Sequence, residues 1–251
     1  MWSDPKNKYK HRRMRLVNAK AKELMLSGEN HLVLIFALIV IGVMAVFPEL
    51  LLSMIYGFIV YPYADIAMAV LGFFLISPLF YGLLYMVSNM ADGERCDLHE
   101  LFDAFASARR FLRSISLGLA LLLTAAISVL LIALPIAASE WLEEAGAPQW
   151  LAALEGIVGT VMASAVVLLL TCRMSLFPML AVKEEGVFRA IARSFVLTKG
   201  KTFKLVRYAL GFLPLVIVSI LAVLVPMLIY TAPYMLCAYA IGVKMICENN
   251  E

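Results

Sequence analysis

The chain has 251 residues, of which 63% are hydrophobic and 16% are charged, and its formal net charge at pH 7 is +3. Soluble globular domains average about 45–50% apolar and about 25% charged residues, so this composition excludes an ordinary soluble domain. The apolar residues fall in runs of about 20, the helix length that a hydrocarbon core about 30 Å thick requires, and they predict an all-α integral membrane protein.

The segment 1–29 is polar and basic, and no apolar stretch precedes a small-residue cleavage site, so we expect no cleaved signal peptide. Its apolar residues recur at the spacing of one helix face, and basic residues fall on the other face. This pattern predicts an amphipathic helix on the anionic inner leaflet. The apolar face comprises Met14, Val17, Ala21 and Leu24, and the basic face Arg13, Lys20 and Lys22.

Six apolar segments follow, and we predict that each crosses the membrane as a helix. The first is expected to continue as helix into residues 50–59, and the sixth is short, so that Lys244 near its end must extend its ammonium group to the interface. The predicted spans are 31–49, 65–90, 112–137, 150–181, 205–230 and 232–247.

The distribution of basic residues supports this topology. With six spans, all 21 Lys and Arg residues fall on one side of the membrane, and the other side carries only acidic residues. The positive-inside rule makes the basic side cytoplasmic, with both termini on it. A topology of five spans would place Lys244 on the opposite side and break this segregation.

Two further cytoplasmic segments are predicted to form amphipathic helices, one after span two and one after span four. Asp97 followed by Glu100 has the spacing of a capping box and predicts the start of the first of these helices. Their apolar residues recur at helical spacing opposite basic and acidic residues. These are Leu98, Leu101, Phe102, Phe105 and Phe111 in the first, and Val187, Phe188, Ile191 and Phe195 in the second.

Prolines recur at comparable places in the spans. Each odd-numbered span reaches a proline near its outer end, and each even-numbered span carries one beside bulky residues. Together with the three amphipathic helices, the pattern predicts a threefold internal repeat of interfacial helix, span, outer turn and returning span; the alternative is that proline is simply frequent in membrane helices. The prolines are Pro48, Pro135 and Pro226, and Pro78, Pro178 and Pro233.

The segment 173–215 carries three motifs: RMSLF at 173–177, AIARSF at 190–195 and KGKTF at 199–203. ISPLFYG at 76–82 and LFDAF at 101–105 fit the same pattern. These motifs resemble a family of bacterial multi-span membrane proteins described as a domain of unknown function, which looks related to the membrane domain of glycerophosphodiester phosphodiesterases. The resemblance implies a protein of the bacterial cytoplasmic membrane, and it implies no activity.

No catalytic set stands out in the sequence. The histidines His11, His31 and His99 are not spaced as metal ligands, and neither a GxSxG elbow nor a phosphate-binding glycine loop is present. We therefore predict that the chain is not an enzyme and uses no metal and no cofactor. The four cysteines have no paired spacing, so we expect free thiols.

Span four carries a stripe of small and hydroxyl residues at intervals close to one or two helical turns. Such residues let helices approach closely and bond across the interface, so the stripe predicts the central packing helix of the bundle. The alternative is that the stripe lines a path for a solute. Its members are Gly156, Thr160, Ser164, Thr171 and Ser175.

Arg173 lies near the cytoplasmic end of span four, before the apolar run 176–182. An arginine at the bilayer centre costs roughly 2.5–3.5 kcal/mol on insertion scales. The guanidinium of Arg173 therefore needs a carboxylate, a carbonyl or a lipid phosphate as its partner, or a position at the membrane interface. It either anchors the helix at the interface or contacts a lipid head group or another anion. The other candidate contacts with anionic lipid are Arg109, Arg110, Arg189, Arg193, Lys199, Lys201 and Lys204, for which lipid is favoured over nucleic acid.

Three acidic residues lie at the predicted outer boundary of the membrane: Glu49, Asp65 and Glu155. If the helices bring them together, they could form a mouth that attracts cations. Otherwise they are solvated helix ends, and Asp65 would stabilise the start of span two through the helix dipole.

The leading functional hypothesis is a non-catalytic membrane module that binds lipid or a hydrophobic partner, as a scaffold or an auxiliary subunit in envelope lipid or peptide handling. Its expected partners are anionic inner-leaflet lipids, and a membrane protein is a further candidate partner. The alternative is a small-solute transporter or channel. A lateral opening beside Arg173 and the helix 189–204 would favour lipid binding, and an enclosed polar path through span four would favour transport.

Overall fold

The computed structural model describes residues 17–26, 30–55, 64–183, 186–221 and 226–248, and these residues form helices and connections without a strand. Arg13 and Met14 of the first predicted amphipathic helix lie outside the described residues. The helices are α1 (17–26), α2 (Asn30–Ile55), α3 (Ala64–Asp92), α4 (Ala108–Glu144), α5 (Gln149–Met174), α6 (Phe177–Lys183), α7 (Val187–Thr198), α8 (Thr202–Leu221) and α9 (Ala232–Glu248), with a 3₁₀ helix at Leu98–Phe102 and a π-helical segment at Met227–Thr231.

Several of these helices are compatible with a membrane bundle, which confirms the predicted all-α class. Within the described residues, five helical segments are long and apolar enough to cross a membrane, and α8 contributes a shorter apolar stretch, Leu205–Ser219. The number of crossings and the threefold repeat stay predictions. The five segments are Asn30–Leu51, Ala64–Asp92, Ala108–Glu144, Gln149–Lys183 and Met227–Glu248.

Helices α2 and α3 form an antiparallel pair. Near one end, Pro48 packs on Gly72, where an added Cβ would lie 3.4 Å from the proline Cγ. At the other end, the backbone N–H of Cys96 donates to Oδ1 of Asn30 at 3.3 Å, which joins the connection after α3 to the start of α2. We call this second end of the bundle the basic end, because the described lysines and arginines cluster in its connections and adjoining turns.

Helices α4 and α5 repeat the proline–glycine contact. Pro135 of α4 lies against Gly159 of α5, where an added Cβ would come within 2.7 Å of the proline Cβ. In both helix pairs the glycine follows its proline by 24 positions. Glycine permits each approach because it lacks a Cβ, so two of the predicted repeat prolines have the same packing role.

Helix α9 and the π-helical segment that precedes it contact the rest of the chain at the basic end. Nε2 of His31, at the start of α2, lies 2.7 Å from the carbonyl oxygen of Ile229. The Tyr239 hydroxyl donates to the Ser175 carbonyl at 2.5 Å, just beyond the end of α5. Lys244 donates to the Ala91 carbonyl at 3.0 Å, at the end of α3.

These contacts differ from the predicted path of the last two spans. A sixth span returning from the outer side would place Ile229 at the end of the bundle opposite His31, about 30 Å away across the hydrocarbon core. In the structure the two residues share one end. Hydropathy could not reveal this, because an apolar helix buried against protein has the same composition as one that faces lipid.

The core occupies the half of the bundle nearest the basic end. Thirteen residues of α3 are buried, whereas only Ala152 and Cys172 are buried in α5. Phe177 of α6 is the largest fully buried side chain. The centre of the described bundle is therefore formed by α3 with α6 and α9. Predicted span four, 150–181, comprises a peripheral part, α5, and a buried end in α6, so only its end lies at the centre.

The segment after α3 is not the continuous amphipathic helix that its apolar spacing predicted. Asp97 does cap a helix start, since its carboxylate accepts the backbone N–H of His99 at 3.1 Å. The helix is a short 3₁₀ turn, however, and Phe111 belongs to α4. The turn lies flat on α3 because the Leu101 backbone rests directly on Gly82.

Candidate functional site

Helix α7 is fixed to the basic end by a small, partly polar face. The Ser194 hydroxyl donates to the carbonyl of Arg173 at 2.6 Å, and the Thr198 hydroxyl donates to the carbonyl of Ser194 at 2.7 Å within α7. The first bond ties α7 to the last turn of α5. The buried residues of α7 are Ala190, Ser194, Leu197 and Thr198.

The opposite face of α7 exposes apolar and basic side chains together. Phe188 is 89% exposed and Val196 is 72% exposed, and Phe203 at the start of α8 is 88% exposed. Arg189 and Lys199 are exposed beside them. The apolar spacing had assigned Phe188 to one stripe with Val187, Ile191 and Phe195, but those three residues are half-buried and Phe188 faces outward.

Arg173 and α7 lie together, as the sequence suggested, although the contact runs through the Arg173 backbone. The Arg173 side chain is exposed. Arg109 and Arg110 are exposed at the start of α4, and Arg110 forms an ion pair with Asp103. Lys201 is half-buried in the turn before α8, and Lys204 lies in the first turn of α8.

A cavity of about 270 Å³ opens at the basic end between α3, α6, α7 and α9. On one side, the Asp92 carboxylate bridges two ammonium groups, with Nζ of Lys183 at 2.6 Å and Nζ of Lys244 at 3.0 Å. Lys244 also donates to the Ala91 carbonyl. The polar lining consists of Ser88, Asp92, Lys183, Arg193, Lys244 and Glu248.

Ser88 lines this cavity with an unused hydroxyl. The side chain is 2% exposed, and within the described chain its Oγ has no hydrogen-bond partner. A buried hydroxyl without a partner costs about 1–3 kcal/mol, so the group is a donor in need of an acceptor. Our sequence reasoning missed this site; the available signal was Ser88 and Asp92 four residues apart at the end of an apolar helix, on one helix face.

The hydroxyl stripe of α5 does not line an enclosed path in the described chain. The Thr171 hydroxyl donates to the carbonyl of Val167 at 2.9 Å in its own helix, and Ser164 is exposed. Ser175 likewise donates to the carbonyl of Cys172 at 2.7 Å. Thr160 is half-buried, and Gly156 faces Ser139 of α4, where an added Cβ would lie 3.1 Å from that side chain.

The three outer acidic residues divide between two helix pairs, with Glu49 and Asp65 in the α2–α3 pair and Glu155 in the α4–α5 pair. Glu49 follows the Pro48 contact of α2 with α3 and is exposed, and Asp65 lies in the first turn of α3. Glu155 belongs to the α4–α5 pair, and its Oε2 is buried without a hydrogen-bond partner among the described residues. A shared cation site made by these residues stays a prediction.

A family model described as "Protein of unknown function (DUF975)" matches residues 15–250. No curated protein and no solved structure matches the chain. The match confirms the expected membership of a family of unknown function, and nothing in it links the chain to glycerophosphodiester phosphodiesterases.

Proposed function

Because the chain belongs to this family of unknown function, DUF975, and the family supplies no activity, we propose a function from the geometry. The protein is a non-catalytic module of the bacterial cytoplasmic membrane that binds anionic lipid at the inner leaflet, with its basic end in the cytoplasm. It serves as a scaffold or auxiliary subunit in envelope lipid or peptide handling. The positive-inside distribution of its lysines and arginines supports this orientation.

The observation that carries the proposal is the exposed face of α7. Large apolar side chains at Phe188, Val196 and Phe203 are each more than 70% exposed, which is unfavourable in water and favourable at the acyl boundary of a bilayer. Arg189 and Lys199 lie beside them and match the negative charge of inner-leaflet head groups. Each basic residue near such a surface contributes about 1 kcal/mol of attraction.

The test is to extract the full chain in native polymer discs and to compare the lipids retained in the discs with the bulk membrane by mass spectrometry. The expected result is enrichment of one or more anionic lipids that falls several-fold in the double variant Arg189→Gln/Lys199→Gln. Arg95→Gln is the matched control, because Arg95 is an exposed cation of the same end that lies off α7. A lipid profile equal to that of the bulk membrane would contradict the proposal.

Transport or channel activity is the second hypothesis, and the described geometry does not favour it. It would need polar groups converging near the middle of the bundle, typically at broken helices. The Thr171 hydroxyl is instead used within its own helix, and Ser164 lies on an exposed surface of α5. A solute flux in proteoliposomes with an identical lipid profile would reverse this preference.

A further inference from the structure

We propose that the cavity at the basic end is a binding site for a phosphate group. The cavity is distinct from the exposed face of α7, so the inference does not rest on lipid binding by that face. Its volume of about 270 Å³ lies just below the usual range of roughly 300–1,000 Å³ for small-molecule sites, so it suits a small anionic group better than a drug-sized ligand.

The two ammonium groups that line the cavity have more N–H donors than their contacts within the described chain occupy. An ammonium group has three N–H donors. Lys183 uses one of them on Asp92, and Lys244 uses one on Asp92 and one on the Ala91 carbonyl. The ammonium groups therefore retain further donors for a bound oxyanion, in addition to the hydroxyl of Ser88.

Ser88 is the feature that points to a ligand rather than to a structural ion cluster. An ion cluster that served only to hold α3, α6 and α9 together would need no buried hydroxyl beside it. The Ser88 side chain lines the cavity, is 2% exposed and lacks an acceptor within the described chain. A phosphate oxygen would supply that acceptor, and the lysines would supply the opposite charge.

The charge of the lining has the right sign for an anion. Among the described lining residues, Lys183, Lys244 and Arg193 contribute three positive charges, against two negative charges from Asp92 and Glu248. Asp92 keeps the two ammonium groups close together in the absence of ligand, which reduces the cost of assembling them around an oxyanion. A phosphate monoester or inorganic phosphate offers several oxygens at one centre, which a set of converging N–H and O–H donors can share.

The phosphate could belong to a lipid head group or to a soluble molecule, and two arms of one experiment separate these sources. The full chain is purified in a maltoside detergent, without phosphate, and titrated calorimetrically with inorganic phosphate in one arm and with phosphatidic acid in the other. Acetate serves as the control anion. Saturable binding of inorganic phosphate supports a soluble ligand, and saturable binding of phosphatidic acid alone supports a head group.

Two variants test the site itself. We expect Ser88→Ala and Lys183→Gln each to weaken phosphate binding about tenfold, since each removes one hydrogen bond to a charged group. Arg95→Gln, an exposed cation of the same end that lies outside the cavity lining and off α7, is expected to bind as the wild type does. Ser88→Ala leaves the Asp92 ion pairs intact and keeps the test valid if Lys183→Gln fails to fold. No saturable binding in either arm, equal binding of acetate, or binding unchanged in Ser88→Ala would overturn the proposal.

Discussion

Nε2 of His31 lies 2.7 Å from the carbonyl oxygen of Ile229, although 198 positions separate the two residues in the chain. The contact joins the start of α2 to the π-helical segment before α9. If residues 205–230 crossed the membrane outward, Ile229 would lie near Glu49 at the far end of α2. The two arrangements therefore predict different neighbours for Ile229.

Cross-linking distinguishes these neighbours. In a chain whose four native cysteines are alanine, we expect a short bifunctional maleimide to link the pair His31→Cys/Ile229→Cys. The matched pair Glu49→Cys/Ile229→Cys should stay unlinked. A protease site engineered between the positions allows the linked fragments to be detected as one band on a denaturing gel. Linkage of the Glu49 pair alone would support the predicted outward crossing of residues 205–230 and contradict the His31–Ile229 contact.

Gly82→Ala is expected to destabilise the protein by about 1–3 kcal/mol, because the added methyl group would collide with the Leu101 backbone. A backbone cannot rotate away as a flexible side chain can, so the 3₁₀ turn must move. Gly42→Ala is the matched control, since nothing lies within 4 Å of a Cβ at that position. The thermal unfolding midpoint measures both, and equal midpoints for the two variants would show that the turn does not rest on α3.

The stability of the protein should depend on pH through the carboxyl group of Glu100. Burial raises the pKa of its carboxyl, as do the carboxylates of Asp97 and Glu94, while a hydrogen bond from Asn89 opposes the rise. The folded chain therefore holds the proton more tightly than the unfolded chain does. The free energy of unfolding should fall as pH rises from about 4.3, the ordinary glutamate pKa, through the raised pKa.

Glu100→Gln should remove this loss of stability, because a neutral amide retains an oxygen to accept the Asn89 bond. We expect the variant to unfold at a higher temperature than the wild type at neutral pH, and the difference to vanish in acid. Glu143→Gln, which removes an exposed carboxylate at the far end of α4, controls for net charge. A difference between Glu100→Gln and wild type that does not change with pH would contradict the explanation.

The thiol of Cys96 should react slowly with maleimide. Burial raises its pKa to about 12, and the nearby carboxylates of Glu100 and Asp97 also favour the neutral form. Since the thiolate is the reactive species, roughly one Cys96 in ten thousand is ionised at pH 8. In a chain with the other cysteines changed to alanine, maleimide labelling should be at least about a hundredfold slower than at Ala106→Cys in a cysteine-free chain. Similar rates at the two positions would contradict a half-buried, neutral thiol at Cys96.

The sequence was sufficient for the class of fold and for local features. Runs of apolar residues indicated helices such as α3 and α4, and Asp97 was correctly expected to cap a helix start. These features depend on composition and on interactions between residues close in the chain. Both can therefore be read from a short segment of the sequence without knowledge of the rest of the chain.

Features that depend on what a helix face packs against could not be predicted from the local sequence. The spacing of Phe188 assigned it to an apolar stripe, yet its side chain faces outward. The spacing could not reveal this, because helical periodicity does not distinguish a face turned to protein from one turned to lipid. Ser88 was not singled out, since one serine in an apolar helix is ordinary until Lys183, Lys244 and Asp92 are known to lie around it. Asp92 lies one helical turn from Ser88, but Lys183 and Lys244 come from segments remote in the chain.

The helices that line the cavity lie far apart in the chain, so they are synthesised at different times and the cavity is completed only when the last of them, α9, is made. Lys244 is translated 153 residues after its partner Ala91, which at a typical 5–20 residues per second means about 8–30 s later. The end of α3 is made at the start of that interval and α6 is made during it, but the wall that α9 provides does not exist until the interval ends. Until α9 is made, the nascent chain therefore lacks the Lys244 partner of the Asp92 carboxylate and the part of the cavity wall that α9 contributes beside Ser88.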